Sequence, residues 1–347
     1  MILQALSEAA GISGQEEAVR DIILEAIEPH VTDLRTDAMG NVLALRAGEQ
    51  GAARPRVMLA AHMDEVGFMV TGYDGDGLVQ FDSVGGIDDR ILPGLRVRIG
   101  TGGLPGVILW TPIHKNRDQN VTKMSSLRID IGASSKGDAQ TKAPLGSMVV
   151  FDSHYAEHGN LLRGKAFDDR AGCAVLVDLL RGGPYPVDVL VAFTVQEEVG
   201  LRGAQVAARA LQPDIAFSLE CTTAHDLPDP SADPDELHTT PNPTARLGGG
   251  PAITLMDSSV IVPPGMVDLI RNTAEANAIP YQFKTRRGGG NDAGQIHLQN
   301  GGIPSATISI PARYIHSPAA LISQGDYDAT VNLVAALLRT VEAVPMV

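Results

Sequence analysis

Apolar residues recur at helical spacing at Val19, Ile22, Ile23, Ala26 and Ile27 and stop before Pro29, which predicts an amphipathic helix near the start of the chain. Ser13-Gly14-Gln15-Glu16, just ahead of it, has the form of a capping box. Two short apolar runs follow, Asn41-Val42-Leu43-Ala44-Leu45 and Val57-Met58-Leu59-Ala60-Ala61, separated by a polar Gly/Pro loop. They predict buried strands, the second of which delivers His62 at its end. From about Phe68 to Leu161 the texture changes. Gly, Asp and Thr turns punctuate short runs such as Leu95–Ile99, Gly106–Trp110 and Ser147–Phe151, and no helical period is evident. Beyond Gly164 helix and strand alternate. Leu176, Leu179 and Leu180 mark a helix stopped by Gly182-Gly183-Pro184, Val189–Phe193 a buried strand, and Val206, Ala207, Ala210 and Leu211 another helix. Ile215–Leu219, Ala252–Leu255 and Ala306–Ile310 predict further strands, and Tyr327, Val331, Val334 and Leu338 trace a C-terminal helix.

This alternation predicts an α/β fold with a mixed or parallel sheet sandwiched by helices. The change of texture divides it into residues 1–67 and 162–347, which form the larger unit, and a β-rich insertion over 68–161. With 347 residues and 44% apolar content the chain is long enough for a sizeable core. Lys and Arg number 27 against 41 Asp and Glu, a net charge of −14, the wrong sign for binding a phosphate backbone or an anionic bilayer. The two cysteines, Cys173 and Cys221, make neither a disulfide framework nor a Cys-rich metal site and suit a reducing compartment. No basic leader precedes an apolar segment, and no apolar stretch approaches the roughly 20 residues of a membrane span. The expectation is a cytoplasmic protein that binds neither nucleic acid nor membrane.

In open α/β sheets functional groups gather at the carboxyl ends of strands. Clusters of polar residues fall there: His62-Met63-Asp64, Gln196-Glu197-Glu198, Glu220 after the Ile215 strand, and Arg313-Tyr314-Ile315-His316, joined by Asp168-Asp169-Arg170 before a helix. Singly, Asp168-Asp169-Arg170 also fits a solvated helix N-terminus and Glu197-Glu198 a wet surface. Together, two imidazoles and several carboxylates without cysteine suit zinc, cobalt or manganese with an open position for water. Two metals sharing a carboxylate need about this many ligands, and a further base to take a proton. Glu197 and Glu198 can divide those tasks because neighbours on an extended segment point in different directions. His30, His114, His154, His158 and His238 read as exposed, whereas His225 and His297 lie near the motif segments. Gly248–Gly250 and Gly288–Gly290 lack the following Lys-Ser/Thr of a P-loop and read as turns or a close backbone approach to substrate.

Ala61-His62-Met63-Asp64-Glu65-Val66-Gly67, Gly164-Lys165-Ala166-Phe167-Asp168-Asp169-Arg170, Gln196-Glu197-Glu198-Val199-Gly200 and Ile303-Pro304 through Pro311-Ala312-Arg313-Tyr314-Ile315-His316-Ser317-Pro318 together resemble the tetrahedral aminopeptidases, metallopeptidase family 42, which include glutamyl and deblocking aminopeptidases. The motifs span nearly the whole chain in family order. The resemblance implies a two-metal aminopeptidase fold, phosphorylase/hydrolase-like, with a β-barrel-like dimerisation domain inserted after the first metal ligand. It implies two divalent ions per subunit, zinc or cobalt before manganese, one held by His62, Asp168 and Glu220 and the other by Asp168, Glu198 and His316, with Asp168 bridging. Glu197 would be the general base on the bridging water, Asp64 would orient His62, and the Asp168–Asp169 peptide would be cis. Substrates would be short or unfolded peptides, and dimers would assemble into a tetrahedral dodecamer. Two positions depart from the family's pattern: Glu220, often Asp, and Asn291, where a hydroxyl residue is common.

Two other readings compete. Some similar proteins have carried an endoglucanase label, and two carboxylates can serve glycoside hydrolysis. That chemistry commonly comes with aromatic sugar platforms, and aromatic content here is 4% with one Trp. A non-catalytic scaffold of the same fold has no feature to recommend it, because the base and every proposed ligand are present.

Overall fold

The computed structural model describes residues 2–49, 55–112, 114–115, 120–227, 245–285 and 288–341. Helices α1 (Ile2–Glu8) and α2 (Glu17–Ile27) lead into strands β1 (Asp33–Thr36), β2 (Val42–Arg46) and β3 (Arg56–His62). Strands β4 (Gly67–Tyr73), β5 (Val79–Val84), β6 (Arg96–Ile99), β7 (Leu104–Ile108), β8 (Ile129–Asp130) and β9 (Met148–Phe151) come next, with helix α3 (Lys136–Lys142) between the last two. The chain continues through β10 (Ala156–His158), β11 (Leu161–Gly164), α4 (Phe167–Gly182), β12 (Asp188–Thr194), α5 (Arg202–Leu211) and β13 (Ile215–Thr223). It ends with β14 (Ala252–Thr254), α6 (Pro264–Ala276), β15 (Gln282–Lys284), α7 (Ala293–Ile296), β16 (Ser305–Arg313), β17 (Ala320–Ser323) and α8 (Gln324–Thr340).

The main sheet runs β1-β2-β12-β3-β13-β16-β17-β11-β10, with β14 and β15 off this path. Its centre, β12-β3-β13-β16, is parallel, and the flanking pairs are antiparallel. The strand period of two assigns side chains to opposite faces. On β3, Val57, Leu59 and Ala61 join a core with α1, α2, α4 and α8, while Met58 and Ala60 join a second core with α5 and α7. Both faces are therefore covered, and the strands read as continuous apolar runs because each is buried twice.

Strands β4-β5-β8-β7-β6-β9 close into a separate barrel with its own core. Phe68 anchors that core by edge-on contacts with Phe81 at 5.1 Å and Phe151 at 5.8 Å between ring centroids. The barrel leaves the sheet immediately after the His62 strand, so the first polar cluster sits at the junction of the two units.

Several local expectations differ from what is found. Ser13 does not cap α2; its Oγ donates to Asp64 Oδ2 at 2.5 Å, and Glu16 accepts from the Gly14 N–H instead. Helix α1 precedes the helix read as opening the chain; at seven residues it is too short to display a period, although Leu3 and Leu6 are buried. Helix α3 lies within the β-rich insertion, where its sequence Lys-Gly-Asp-Ala-Gln-Thr-Lys buries only Ala139 and shows no apolar stripe. Glu220 lies inside β13 rather than after it, because that strand runs on to Thr223.

Candidate metal centre

Parallel register brings the ends of the central strands to one edge of the sheet. His62, the last residue of β3, pairs with Thr194, the last of β12, and Glu197 and Glu198 follow directly. Next along the sheet Glu220 of β13 pairs with Ser309 of β16, and the loop beyond Arg313 carries His316. Asp168 enters from the first turn of α4, across a cis Asp168–Asp169 peptide. Ala166, Gln196, Tyr314 and His316 around this edge have φ between +54° and +58°, a left-handed conformation that side chains with a Cβ adopt only where the surroundings hold them.

Asp168 lies between the two imidazoles. Its Oδ1 is 3.2 Å from His62 Nε2 and its Oδ2 is 3.3 Å from His316 Nε2. Glu220 Oε2 and Glu197 Oε2 stand 3.7 and 3.9 Å from His62 Nε2, whereas Glu198 Oε1 stands 3.3 Å from His316 Nε2. The adjacent carboxylates of Glu197 and Glu198 thus face opposite ends of the site. His62, Asp168 and Glu220 offer one set of donor atoms within 4.8 Å of one another, and Asp168, Glu198 and His316 offer a second; His62 with Glu197 and Glu198 is a third such grouping.

The surroundings orient these groups. His62 Nδ1 meets the Asp64 backbone carbonyl at 3.0 Å and the Asp64 carboxylate at 3.5 Å, which leaves Nε2 facing Asp168. The Asp64 carboxylate makes its shorter bonds elsewhere, accepting from Ser13 Oγ and from the backbone N–H groups of Glu197 and Glu198. It therefore fixes the acidic turn as well as the imidazole. His316 Nδ1 meets the Gly86 carbonyl at 2.9 Å, a contact supplied by the loop that follows β5 of the barrel. Asp169 is not turned to the metal-ligand cluster; it accepts from the backbone N–H groups of His62 and Gly172.

Electrostatics single out the same group. Burial pushes Glu197 and Glu220 well above the usual carboxylate range, with the neighbouring acids adding to it and His62 opposing. Burial opposes ionisation of both imidazoles, but the carboxylates outweigh it: His62 is held well above its ordinary value and His316 at about 11. Acids and imidazoles packed this closely away from water call for cations. Glu198 Oε1 is buried without a hydrogen-bond partner, as a metal ligand awaiting its ion would be. Nitrogen and oxygen donors in sets of three that share one carboxylate fit two borderline divalent ions.

The remaining histidines separate from this centre, with one exception. His114, His154 and His158 are exposed and His30 is partly buried; His297 bonds the Ala293 carbonyl of its own helix, and His238 lies outside the described residues. His225 lines the cavity of about 510 Å³ that opens onto the centre, as do Gly288, Gly289 and Gly290. Sequence reasoning missed four contributors: Ser13, Gly86, Lys284 and the buried trio Glu65, Lys165 and Arg170. In that trio Lys165 Nζ reaches Glu65 Oε1 at 2.6 Å, and Arg170 ties the carbonyls of Leu6, Gly11 and Met63 together beside His62. Only Lys284 carried a signal, as the start of the run Lys284-Thr285-Arg286-Arg287 ahead of three glycines.

Comparison with known proteins agrees with this geometry. The glutamyl aminopeptidase of Lactococcus lactis is 32% identical, covering 94% of this chain and 91% of its own. The lysyl aminopeptidase of Pyrococcus furiosus is 30% identical, covering 97% of this chain and 96% of its own. Among solved structures, an aminopeptidase from the archaeon Desulfurococcus kamchatkensis superposes with a TM-score of 0.90 at 36% identity, over 98% of this chain and 94% of that one. The TET1 peptidase of Pyrococcus horikoshii, described as assembling into a tetrahedron or a large octahedral shell, gives 0.85 at 33% identity, over 97% and 98%. The model of the M42 glutamyl aminopeptidase family matches residues 40–333, and with the sheet, the barrel and the acid–imidazole edge in place, the chain belongs to that family of metal-dependent hydrolases.

Proposed function

We propose that the chain removes N-terminal residues from short peptides, with His62, Asp168 and Glu220 holding one divalent ion and Asp168, Glu198 and His316 a second. The observation that carries this reading is Asp168, whose two oxygens each face a different imidazole at hydrogen-bond range. Zinc or cobalt suits the mixed nitrogen and oxygen donors best, with manganese as the alternative. Such ions supply Lewis acidity, polarising the scissile carbonyl and making a water a usable nucleophile at neutral pH.

The protein's own part is proton transfer and placement. Glu197 takes the proton of the attacking water on its carboxylate and returns it to the leaving amine. The Asp64 carboxylate, bonded to the Glu197 N–H at 3.0 Å, holds that base in place and keeps His62 turned toward Asp168. Burial of His62, Asp64 and Glu220 excludes bulk water from the inner end of the site. The carbohydrate reading gains no support, since the described residues lining the cavity include no aromatic side chain.

The barrel, within residues 68–161, serves as the self-association domain, supported by the exposed apolar side chains of Val107 and Trp110 on its surface and by the shell-forming relative. Dimers built through it complete a tetrahedral dodecamer. Two buried, unpaired thiols support a cytoplasmic setting, and among the described residues no helix is long and apolar enough to cross a membrane. The test is release of p-nitroaniline from a panel of aminoacyl anilides by chelator-stripped protein, with and without added Zn²⁺, Co²⁺ or Mn²⁺. Metal-dependent release supports the proposal, and no release with any metal overturns it.

A further inference from the structure

The relatives' names divide between an acidic and a basic first residue, so similarity leaves the side-chain preference of this chain open. The cavity of about 510 Å³ beside the metal centre supplies a basis for choosing. Its inner end is acidic, but Asp168, Glu197, Glu198 and Glu220 are all engaged with the imidazoles or with each other's charge. Further out the described lining is neutral and polar, with Thr222, Thr223 and Ser309. At Gly288 and Gly289 an added Cβ would meet nothing within 4 Å, so the wall stays open there.

Lys284 is the one Lys or Arg among the described residues lining this cavity. It closes strand β15, where its backbone is fixed by pairing with Thr254 and by the Leu255 N–H donated to its carbonyl. Its half-buried side chain makes no hydrogen bond or ion pair with any described residue. Asn291, the other candidate reader, is already used. Its amide donates to Asp257 Oδ2, and its carbonyl accepts from Thr307 Oγ1 and the Ala293 N–H. An ammonium in a recess of neutral polar groups, without an acid of its own, is a position built to receive an anion.

From this we infer that Lys284 selects peptides whose first side chain is a carboxylate. The inference rests on the aminopeptidase reading above. A basic first side chain would meet a like charge in a confined space, and an aliphatic one would leave the ammonium without a partner.

The experiment compares Glu-, Leu- and Lys-p-nitroanilide on the full-length, metal-loaded protein and on Lys284→Gln and Lys284→Glu. Native protein should favour Glu over Leu by about tenfold or more in kcat/KM, with Lys weaker still. Lys284→Gln should reduce the Glu-to-Leu ratio by about tenfold, mainly through KM, and Lys284→Glu should move the preference toward Lys. Calorimetric titration with free L-glutamate and L-lysine gives a readout independent of turnover: glutamate should bind the native protein more tightly, and lose that advantage in Lys284→Gln. Should either variant fail to fold by circular dichroism, Lys284→Arg keeps the charge and should keep the preference. Cleavage with no acidic preference, or a preference that Lys284→Gln leaves intact, overturns the inference. Failure to cleave any anilide would instead overturn the aminopeptidase reading, and the glutamate titration would still decide whether Lys284 receives a carboxylate.

Discussion

The two halves of the metal centre use the same donor chemistry, one imidazole and one glutamate each with Asp168 between them, yet they are built very differently. The half around His62 lies within the sheet: His62 and Glu220 are strand residues and both are buried. Its supports are numerous. Cys173 Sγ donates to the His62 carbonyl, Asp169 accepts from its N–H, and Arg170 braces Met63 beside it. The half around His316 stands on the loop between β16 and β17, its imidazole about a third exposed, and its Nδ1 takes a single orienting contact, from the Gly86 carbonyl. Equal ligand sets need not give equal sites, because pre-organisation by neighbouring groups decides how much ordering is left for the ion to do.

Removing what the two halves share should have the largest effect. Asp168→Asn is expected to lower metal content below two ions per chain and turnover by at least about 10⁴-fold, read by elemental analysis alongside anilide kinetics. Retention of both ions would show that Asp168 is dispensable to either half. Glu197→Gln should separate base from ligand: both ions stay while turnover falls by about 10²–10⁴-fold. Unchanged turnover would remove Glu197 from its assigned role.

A milder test addresses the asymmetry directly. Stepwise chelation should strip one ion at about 10–100-fold lower chelator concentration than the other, and His316→Ala should abolish the easily stripped ion alone. Two ions leaving together would mean that the difference in scaffolding has no thermodynamic consequence. The smallest effect concerns Glu16, buried beneath the deep half. Burial pushes its carboxyl up to about 7, the Gly14 N–H opposing and the Asp64 charge reinforcing. An acid raised in the folded state contributes stability that is present below its unfolded value near 4.5 and lost as pH rises through about 7. Glu16→Gln should therefore raise the melting temperature at pH 8 relative to the native chain, by the equivalent of about 1 kcal/mol, and gain less at pH 5. An equal shift at both pH values would contradict the titration.

The deep half was also the more legible one. Val57–Ala61 announces a doubly buried strand by composition alone, and a polar residue ending such a run is conspicuous, so His62 could be picked out. Glu220 was found too, although its strand runs three residues beyond it to Thr223. His316 is carried by a loop, and the motif shared with a known family pointed to it where periodicity had nothing to say. Helix α6 was missed despite a readable pattern, with Pro264 in its first turn and Met266, Ile270, Thr273 and Ala274 buried at helical spacing. Ser13 illustrates the opposite error: its spacing to Glu16 fits a local cap, but a carboxylate 51 positions away takes the hydroxyl. Gly86 could not be anticipated at all, because it acts through a backbone carbonyl that any residue would supply.

That carbonyl has a thermodynamic corollary. Gly86 belongs to the barrel and His316 to the sheet, so the orientation of one imidazole depends on how the two units are seated against each other. If subunit contacts run through the barrel, assembly and occupancy of the outer ion position become linked equilibria, each raising the other by the same factor. Dilution below the association constant would then release metal with no change in pH or chelator, and metal loading would in turn lower the concentration at which the shell forms.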